Sequence, residues 1–213
     1  MKFRNLAHTV YTLHTRWKEQ LGKRNRLHAA WWGVKLGSQS SFIGRCYFKK
    51  YPGTTIRIGN HCSFLSNANA NLIGINKPCI ISTHHSQHKA TIEIGDNCGF
   101  SGTVIGAFKY IKLGNNVRCG ANTLISDADW HLDDPRSGPP ADVIIGDNVW
   151  LGVNSVVLKG VTIGANTVIG ANSVVTKSIP ANVIAAGNPC RVIRPLTVND
   201  AAPYQAVNQS QYS

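Results

Sequence analysis

Apolar and small residues recur with a period of six along the second half of the chain. From Ile145 onward the chain reads IGDNVW, LGVNSV, VLKGVT, IGANTV, IGANSV and VTKSIP. The first residue of each hexad is aliphatic, the second is usually Gly, and the fifth is small or β-branched. Three such hexads make one triangular coil, whose inward positions are aliphatic and whose turns suit the tolerant backbones of Gly and Asn. Parallel strands then stack about 4.8 Å apart, so the pattern predicts an all-β fold, a parallel β-helix solenoid.

Shorter copies of the hexad occur earlier, as IGNHCS at 58, IGDNCG at 94, LGNNVR at 113 and CGANTL at 119. The separation of 36 residues between 58 and 94 predicts two turns of eighteen residues. Cys46, Cys62 and Cys98 occupy the small inward position of a hexad and Cys119 occupies the aliphatic one, so we expect free thiols in the core. No CxxC spacing accompanies them, which favours structural cysteines over a zinc site or a disulfide framework.

The N-terminal segment has helical spacing instead. Its apolar residues recur every three or four positions with basic residues between them, at Phe3, Leu6, Val10, Leu13, Trp17 and Leu21. We expect this helix to end at Gly22 and residues 1–34 to cap a solenoid domain over residues 35–196, because the open end of a solenoid exposes unpaired strands. A weak contact of residues 1–34 with an anionic membrane surface is the alternative. Residues 197–213 form a polar tail without periodicity.

The charge of the chain is unevenly distributed. The formal net charge is +12, and residues 1–35 contain eight Lys or Arg against one acid. Basic charge suits nucleic acid, anionic lipid or a phosphorylated ligand, but no nucleic-acid motif accompanies it, so no nucleic-acid partner is expected. The chain has neither a long apolar run nor the continuous apolar stretch of a secretory signal, which together with reduced thiols predicts a cytoplasmic protein.

The hexad period fails after Ile125. The hexad ISDADW puts Asp129 at a small inward position, where a carboxylate is costly, so we expect the chain to leave the coil there. The period resumes at Ile145, twenty residues later, where eighteen are expected. The loop over residues 127–143 contains Pro, Gly and five of the ten acids of the chain. A loop on a rigid solenoid is a natural place for chemistry, so the active site is expected here.

His131 lies in this loop and is the candidate general base. A neutral imidazole accepts a proton from a hydroxyl near neutral pH, and Asp129 is the residue expected to orient the ring or raise its basicity. A surface histidine in a polar loop is the alternative. His131 lies at the repeat break, beside clustered acids and ahead of a segment typical of coenzyme binding. This position favours catalysis.

Residues 90–196 resemble the hexapeptide-repeat O-acetyltransferases, the group that includes the galactoside and maltose acetyltransferases. The matching phrases are SDADWH, IGDNVWLG, LKGVTIG, IGANSVVTKSIPANV and AAGNPCRVIRP. The DWH element is also similar to polysaccharide O-acetyltransferases with an Asp-x-His element. The resemblance implies a left-handed β-helix, a homotrimer with sites between subunits, acetyl-coenzyme A as cosubstrate, and direct transfer to a sugar or glycan acceptor without a metal.

The resemblance also implies site residues. His131 matches the catalytic histidine, and Trp150 matches a tryptophan that lines the neighbouring wall of the site. The remaining matches are to positions that hold coenzyme A, namely Val153, Ala171, Thr176, Lys177, Arg191 and Arg194. The positive charges of Lys177, Arg191 and Arg194, near the end of the repeat, suit the phosphates of the coenzyme. A solvated basic edge is the alternative for these three side chains.

The chain departs from the family at two places. Leu132 follows the histidine where the family often has Pro, and residues 99–107 lack the Asn and Asp pair that holds galactoside acceptors, so a different sugar is expected. N-acylation of an amino sugar uses the same donor and base and stays open. A metalloenzyme resembling the γ-class carbonic anhydrases would need histidines from adjacent coils, for which the chain offers His61, His84, His85, His88 and His131.

Overall fold

The computed structural model describes residues 22–85 and 89–197. Residues 22–31 form a helix, which is followed by six coils of three short strands each. The first three coils comprise β1 (Lys35–Leu36), β2 (Ser41–Ile43), β3 (Tyr47–Lys49), β4 (Thr55–Ile58), β5 (Ser63–Leu65), β6 (Ile80–Thr83), β7 (Thr91–Ile94), β8 (Gly99–Ser101) and β9 (Val104–Ala107). The next three comprise β10 (Tyr110–Leu113), β11 (Arg118–Cys119), β12 (Leu124–Ser126), β13 (Val143–Ile145), β14 (Trp150–Leu151), β15 (Val156–Val157), β16 (Thr162–Ile163), β17 (Val168–Ile169) and β18 (Val174–Val175). Two further strands, β19 (Val183–Ala186) and β20 (Arg191–Pro195), end the described fold.

The strands stack into three faces of a prism. Face A consists of β1, β4, β7, β10, β13 and β16; face B of β2, β5, β8, β11, β14, β17, β19 and β20; and face C of β3, β6, β9, β12, β15 and β18. All neighbouring strands are parallel except the last pair, in which β20 runs antiparallel to β19. The architecture is a left-handed parallel β-helix, as expected.

The inward positions of the hexads form the core. The aliphatic residues from Ile145 to Val175 are at most 1% exposed, and the fifth position of each hexad is buried as well. All six cysteines are free and buried, which confirms that Cys46, Cys62, Cys98 and Cys119 act as core residues. A free thiol suits both the small and the aliphatic inward positions because a free Cys packs as a small hydrophobe.

Gly and Asn serve different purposes at the turns. Asn residues adopt the left-handed backbone, as at Asn148 (φ 56°) and Asn166 (φ 54°), and the amide of Asn148 donates to that of Asn166 at 2.9 Å. The hexad glycines are required for close approach between coils. A Cβ on Gly152, for example, would lie 2.5 Å from the backbone nitrogen of Ala171. The regular coils therefore depend on both residue types, each for its own physical reason.

The early coils are longer than the hexad spacing predicts. Ile58 pairs directly with Ile94 on face A, so these residues lie in consecutive coils, and the expectation of two turns between them is wrong. The additional residues leave the prism at two corners. One excursion, residues 66–79, lies between β5 and β6, and a second segment lies between β6 and β7. A period counted along the chain cannot distinguish two regular coils from one coil with insertions.

Residues 22–31 lie against the first coil. Ala29 is fully buried, and the buried Asn25 side chain donates to Gly44 O at 3.0 Å and accepts from Cys46 N at 2.9 Å. Gly22 was expected to end the helical segment, but residues 22–31 are helical, because their inner face packs along the first coil. The apolar positions at residues 3–21 and the polar tail lie outside the described residues. None of the helical residues described here form a span long and apolar enough to cross a membrane.

Candidate active site

The chain leaves the prism after β12 and returns at β13. Ile125 lies on face C and Ile145 on face A of the next coil, so a regular path would separate them by one hexad, and the loop is far larger than the expected excess of two residues. Asp127 is the fully buried acid at the base of this loop. Its carboxylate accepts hydrogen bonds from the backbone nitrogens of Phe108 and Lys109, both at 2.7 Å. Burial raises the pKa of Asp127, while these backbone donors oppose the shift.

Asp129 lies outside the core and is held at a different point of the loop. Its Oδ2 is 2.5 Å from Lys159 Nζ and accepts from Gly138 N at 3.2 Å. The predicted contact with the imidazole of His131 is absent among the described residues. Lys159 follows β15 at the same corner, so its ammonium attracts the carboxylate back to the prism. Asp127, which the sequence analysis did not single out, takes the inward place instead.

His131 is exposed, and its backbone is fixed by the loop. Its amide donates to Asp129 O at 2.9 Å, and its carbonyl accepts from Ser137 Oγ at 2.5 Å and Asp134 N at 3.1 Å. The imidazole itself has no hydrogen bond among the described residues. A fixed backbone with an accessible ring is the arrangement that a general base toward an external hydroxyl requires.

Trp130, the neighbour of His131, lies against face C. Its backbone is left-handed (φ 69°), and its indole lies so close to Gly106 that a Cβ there would approach Cζ2 to 2.6 Å. The indole meets the rings of His84 and Phe108 edge to face, with centroid distances of 4.7 and 5.6 Å. His84 and Phe108 stack on each other at 4.7 Å, and the imidazole of His84 is 2.9 Å from Ser82 Oγ. Burial lowers the pKa of His84, and Lys49 lowers it further.

A groove lies on the outside of face B and its corner with face C. It is lined by three residues that the sequence analysis assigned to the site: Trp150 in its wall, and Val153 and Ala171 for the coenzyme. Trp150 is 57% exposed on β14, and the other two follow β14 and β17 at the corner. The structure therefore brings together three predicted residues that are separated in the chain.

The excursion over residues 66–79 forms a further wall of this groove, through Asn71 and Ile73. It is anchored beside the prism, since the buried Ile75 lies against Gly102 and the amide of Asn122 donates to Gly74 O at 3.1 Å. Sequence reasoning missed these residues. The long spacing before position 94 was the available signal, and it was interpreted as an additional coil.

The predicted cations divide between two places. Arg191 and Arg194 lie on β20, at the end of face B, whereas Thr176 and Lys177 follow β18 at the end of face C. The pairing of strands places Trp150 opposite Val168, Val168 opposite Ile184, and Ile184 opposite Arg194. This row, from Trp150 to Arg194, crosses three strand spacings, or about 14 Å, along the outside of face B.

The histidines do not gather around a metal site within the described part of the chain. Residues 22–85 and 89–197 contain no group of three His, Cys, Asp or Glu side chains arranged to hold an ion. His84 packs against Phe108 and Trp130, and His85 stacks on Tyr51 at 5.1 Å. His88, one of the histidines considered for zinc, lies outside the described residues.

Comparisons with known proteins agree with this architecture. A family model described as bacterial transferase hexapeptide (six repeats) matches residues 142–177. The chain is 38% identical to protein CapG of Staphylococcus aureus over 50% of this chain and 67% of that protein. It is 40% identical to the galactoside O-acetyltransferase of Escherichia coli (strain K12) over 54% of this chain and 59% of the enzyme.

A similar solved structure covers most of the chain. It is a hexapeptide-repeat acetyltransferase of Vibrio cholerae O1 biovar eltor in complex with acetyl-coenzyme A, with a TM-score of 0.50 and 25% identity. The match covers 89% of this chain and 88% of that one. The chain spans between 30% and 59% of the length of three curated relatives that it matches.

Proposed function

Because the chain belongs to the hexapeptide-repeat acyltransferases, we propose that it transfers an acetyl group from acetyl-coenzyme A to a hydroxyl of a sugar or glycan. The observation that carries this proposal is the groove on face B, which collects Trp150, Val153 and Ala171 beside a row that ends at Arg194. An extended cosubstrate with an anionic end fits such a surface. Exposed backbone groups of the coils can bind its amides, and the guanidinium can bind its phosphates.

His131 is the general base in this proposal. One ring nitrogen takes the proton of the acceptor hydroxyl while the oxygen attacks the thioester carbonyl. The tetrahedral intermediate then collapses with cleavage of the carbon–sulfur bond, and the imidazolium returns the proton to the thiolate. Asp129 acts on this step through the shape of the loop, since its carboxylate binds Lys159 rather than the ring.

A homotrimer supplies the complete site. The groove lies on face B and its corner with face C, whereas the loop with His131 begins at the corner between faces C and A. Because the groove and the loop with His131 start from different corners of the prism, we propose that a neighbouring protomer brings the base of one chain to the groove of the other. Light scattering at micromolar concentration is expected to give the mass of a trimer, and a monomer would contradict a shared site.

The experiment on chemistry compares the wild-type protein with His131→Ala. Coenzyme A release is measured with galactosides, glucosides, N-acetylhexosamines and their oligosaccharides as acceptors, with mass detection of the product. We expect loss of the base to lower turnover at least ~100-fold and to leave coenzyme binding nearly unchanged. Near-normal turnover would remove His131 from the mechanism. Amino sugars in the same panel test the alternative of N-acetylation, which gives an amide product of different stability to alkali.

The experiment on the donor compares Arg194→Ala and Arg191→Ala with Lys112→Ala, a matched loss of an exposed cation on face A. Each β20 variant is expected to raise KM for acetyl-coenzyme A and spare kcat, because phosphate binding is equal in the ground and transition states. A charge-assisted contact contributes ~1–3 kcal/mol at low salt and less as salt screens it. Unchanged KM in both variants would leave β20 as a solvated basic edge and move the donor elsewhere.

A further inference from the structure

We propose that Trp130 is the platform on which the acceptor saccharide stacks beside His131. The inference rests on the proposed function and identifies a residue that holds the acceptor. Trp130 is 42% exposed, although it is a large aromatic residue in a polar loop and directly precedes the candidate base. Both side chains are exposed on the same loop, so an acceptor whose hydroxyl reaches the imidazole can also contact the indole.

The indole is fixed before any ligand binds. On one side it lies over Gly106 of β9, where any larger residue would collide with it. The edge-to-face contacts with His84 and Phe108 hold its rim, and the hydrogen bond between Ser82 and His84 orients the imidazole in turn. Such contacts limit the number of positions available to the indole, so a ligand that stacks on it loses little conformational freedom.

The backbone supports the same interpretation. A left-handed conformation is unfavourable for a bulky residue and persists only where surrounding contacts hold it. Phe108 shows the contrast, since that ring is 6% exposed and packs conventionally in the same cluster. A tryptophan held in a strained conformation with a large exposed area is better explained by ligand contact than by packing alone.

The chemistry of the surroundings selects a saccharide. A sugar ring has an apolar face of C–H groups, which packs on an aromatic ring, and hydroxyls at its edge. The loop around Trp130 supplies polar and charged groups for such an edge, among them His131 and the pair of Asp129 with Lys159. A purely aliphatic acceptor would offer no hydroxyl to His131 and no polar edge to the surrounding groups.

The test uses the full chain and the saccharide that gives the highest rate in the acceptor panel. Trp130→Ala is expected to raise KM for this saccharide roughly tenfold and to leave KM for acetyl-coenzyme A unchanged, as the loss of one stacked ring predicts. Trp130→Phe, which retains a smaller ring, is expected to recover part of the loss. The matched control is Trp31→Ala, which removes an exposed tryptophan from the N-terminal helix and is expected to change neither constant.

The outcomes separate this inference from the proposed function. If the wild-type protein acetylates a saccharide and Trp130→Ala leaves its KM unchanged, the platform is wrong and the proposed function stands. A fall in kcat alone, with both KM values unchanged, would assign Trp130 to positioning the loop and would also overturn the platform. Failure of the wild-type protein to acetylate any saccharide would overturn the proposed function and the platform together. Circular dichroism and melting temperature confirm that each variant is folded.

Discussion

The first four coils and the last two are built on the same prism and differ in what they add to it. In the last coils Ile145 pairs with Ile163, and eighteen residues complete the circuit without insertion. In the earlier coils long segments lie between strands, among them residues 66–79 after β5 and the loop over residues 127–143 after β12. The regular coils contribute Trp150, Val153 and Ala171 to the groove on face B, whereas the inserted segments contribute its outer wall and the candidate base. Regular coils thus supply the scaffold, and the departures from them supply the loop that contains His131.

The largest expected effect tests the regular coils. Gly152→Ala introduces a Cβ 2.5 Å from Ala171 N, against a backbone that has no room to shift without separating two coils. We expect the free energy of unfolding to fall by about 3 kcal/mol and the melting temperature to fall with it, because overpacking in a dense interior is destabilising. Gly22→Ala is the control, since a Cβ there meets nothing within 4 Å and Ala favours a helix. Equal melting temperatures for the two variants would contradict close approach as the reason for the hexad glycines.

The next effect tests the N-terminal end of the prism. Asn25→Ala removes the side chain that binds Gly44 O and Cys46 N of the first coil. We therefore expect the free energy of unfolding to fall by about 2 kcal/mol. The exposed Lys23 on the same helix provides the control Lys23→Ala. If residues 1–34 instead anchor the chain to a membrane, Lys23→Ala would weaken binding to vesicles of anionic lipid and Asn25→Ala would leave the melting temperature unchanged. We expect the first result, in which this segment caps the prism.

How much of this structure the sequence predicts depends on the same contrast. The inward positions of Ile145, Leu151 and Val157 are predictable because nothing interrupts the period of six there. The hexad pattern also predicts that the cysteines are free and buried. The separation of Ile58 and Ile94 leads to a wrong prediction. Their 36 residues fit two regular coils, but they form one coil with inserted segments. Asp129 was expected to orient His131 from its place in the chain alone. Its actual partner, Lys159, lies thirty residues away and becomes a neighbour only once the loop has closed on the prism.

The smallest expected effect concerns His84, which follows β6, and the dependence of the melting temperature on pH. The pKa of His84 in the folded protein is below its ordinary value of 6.5, so the folded state favours the neutral ring and the unfolded state binds the proton first. Stability contributed by neutral His84 is therefore present above pH 6.5 and is lost as pH falls through the lowered value. His84→Gln is therefore expected to make the melting temperature fall less between pH 7 and pH 5 than it does in the wild-type protein. A pH profile identical to that of the wild-type protein would contradict this.

The placement of insertions at the corners has an evolutionary consequence. A segment such as residues 66–79 enters and leaves the prism between two strands of the same coil, so its length can change without altering the pairing of the strands above and below it. An insertion or deletion within a paired strand would shift the register of its neighbours, whereas one within such a corner segment would not. The row from Trp150 to Arg194 belongs to paired strands and is insulated from such changes. A change in the length of this segment can therefore reshape the outer wall of the groove through Asn71 and Ile73, while the strands beneath that wall keep their register.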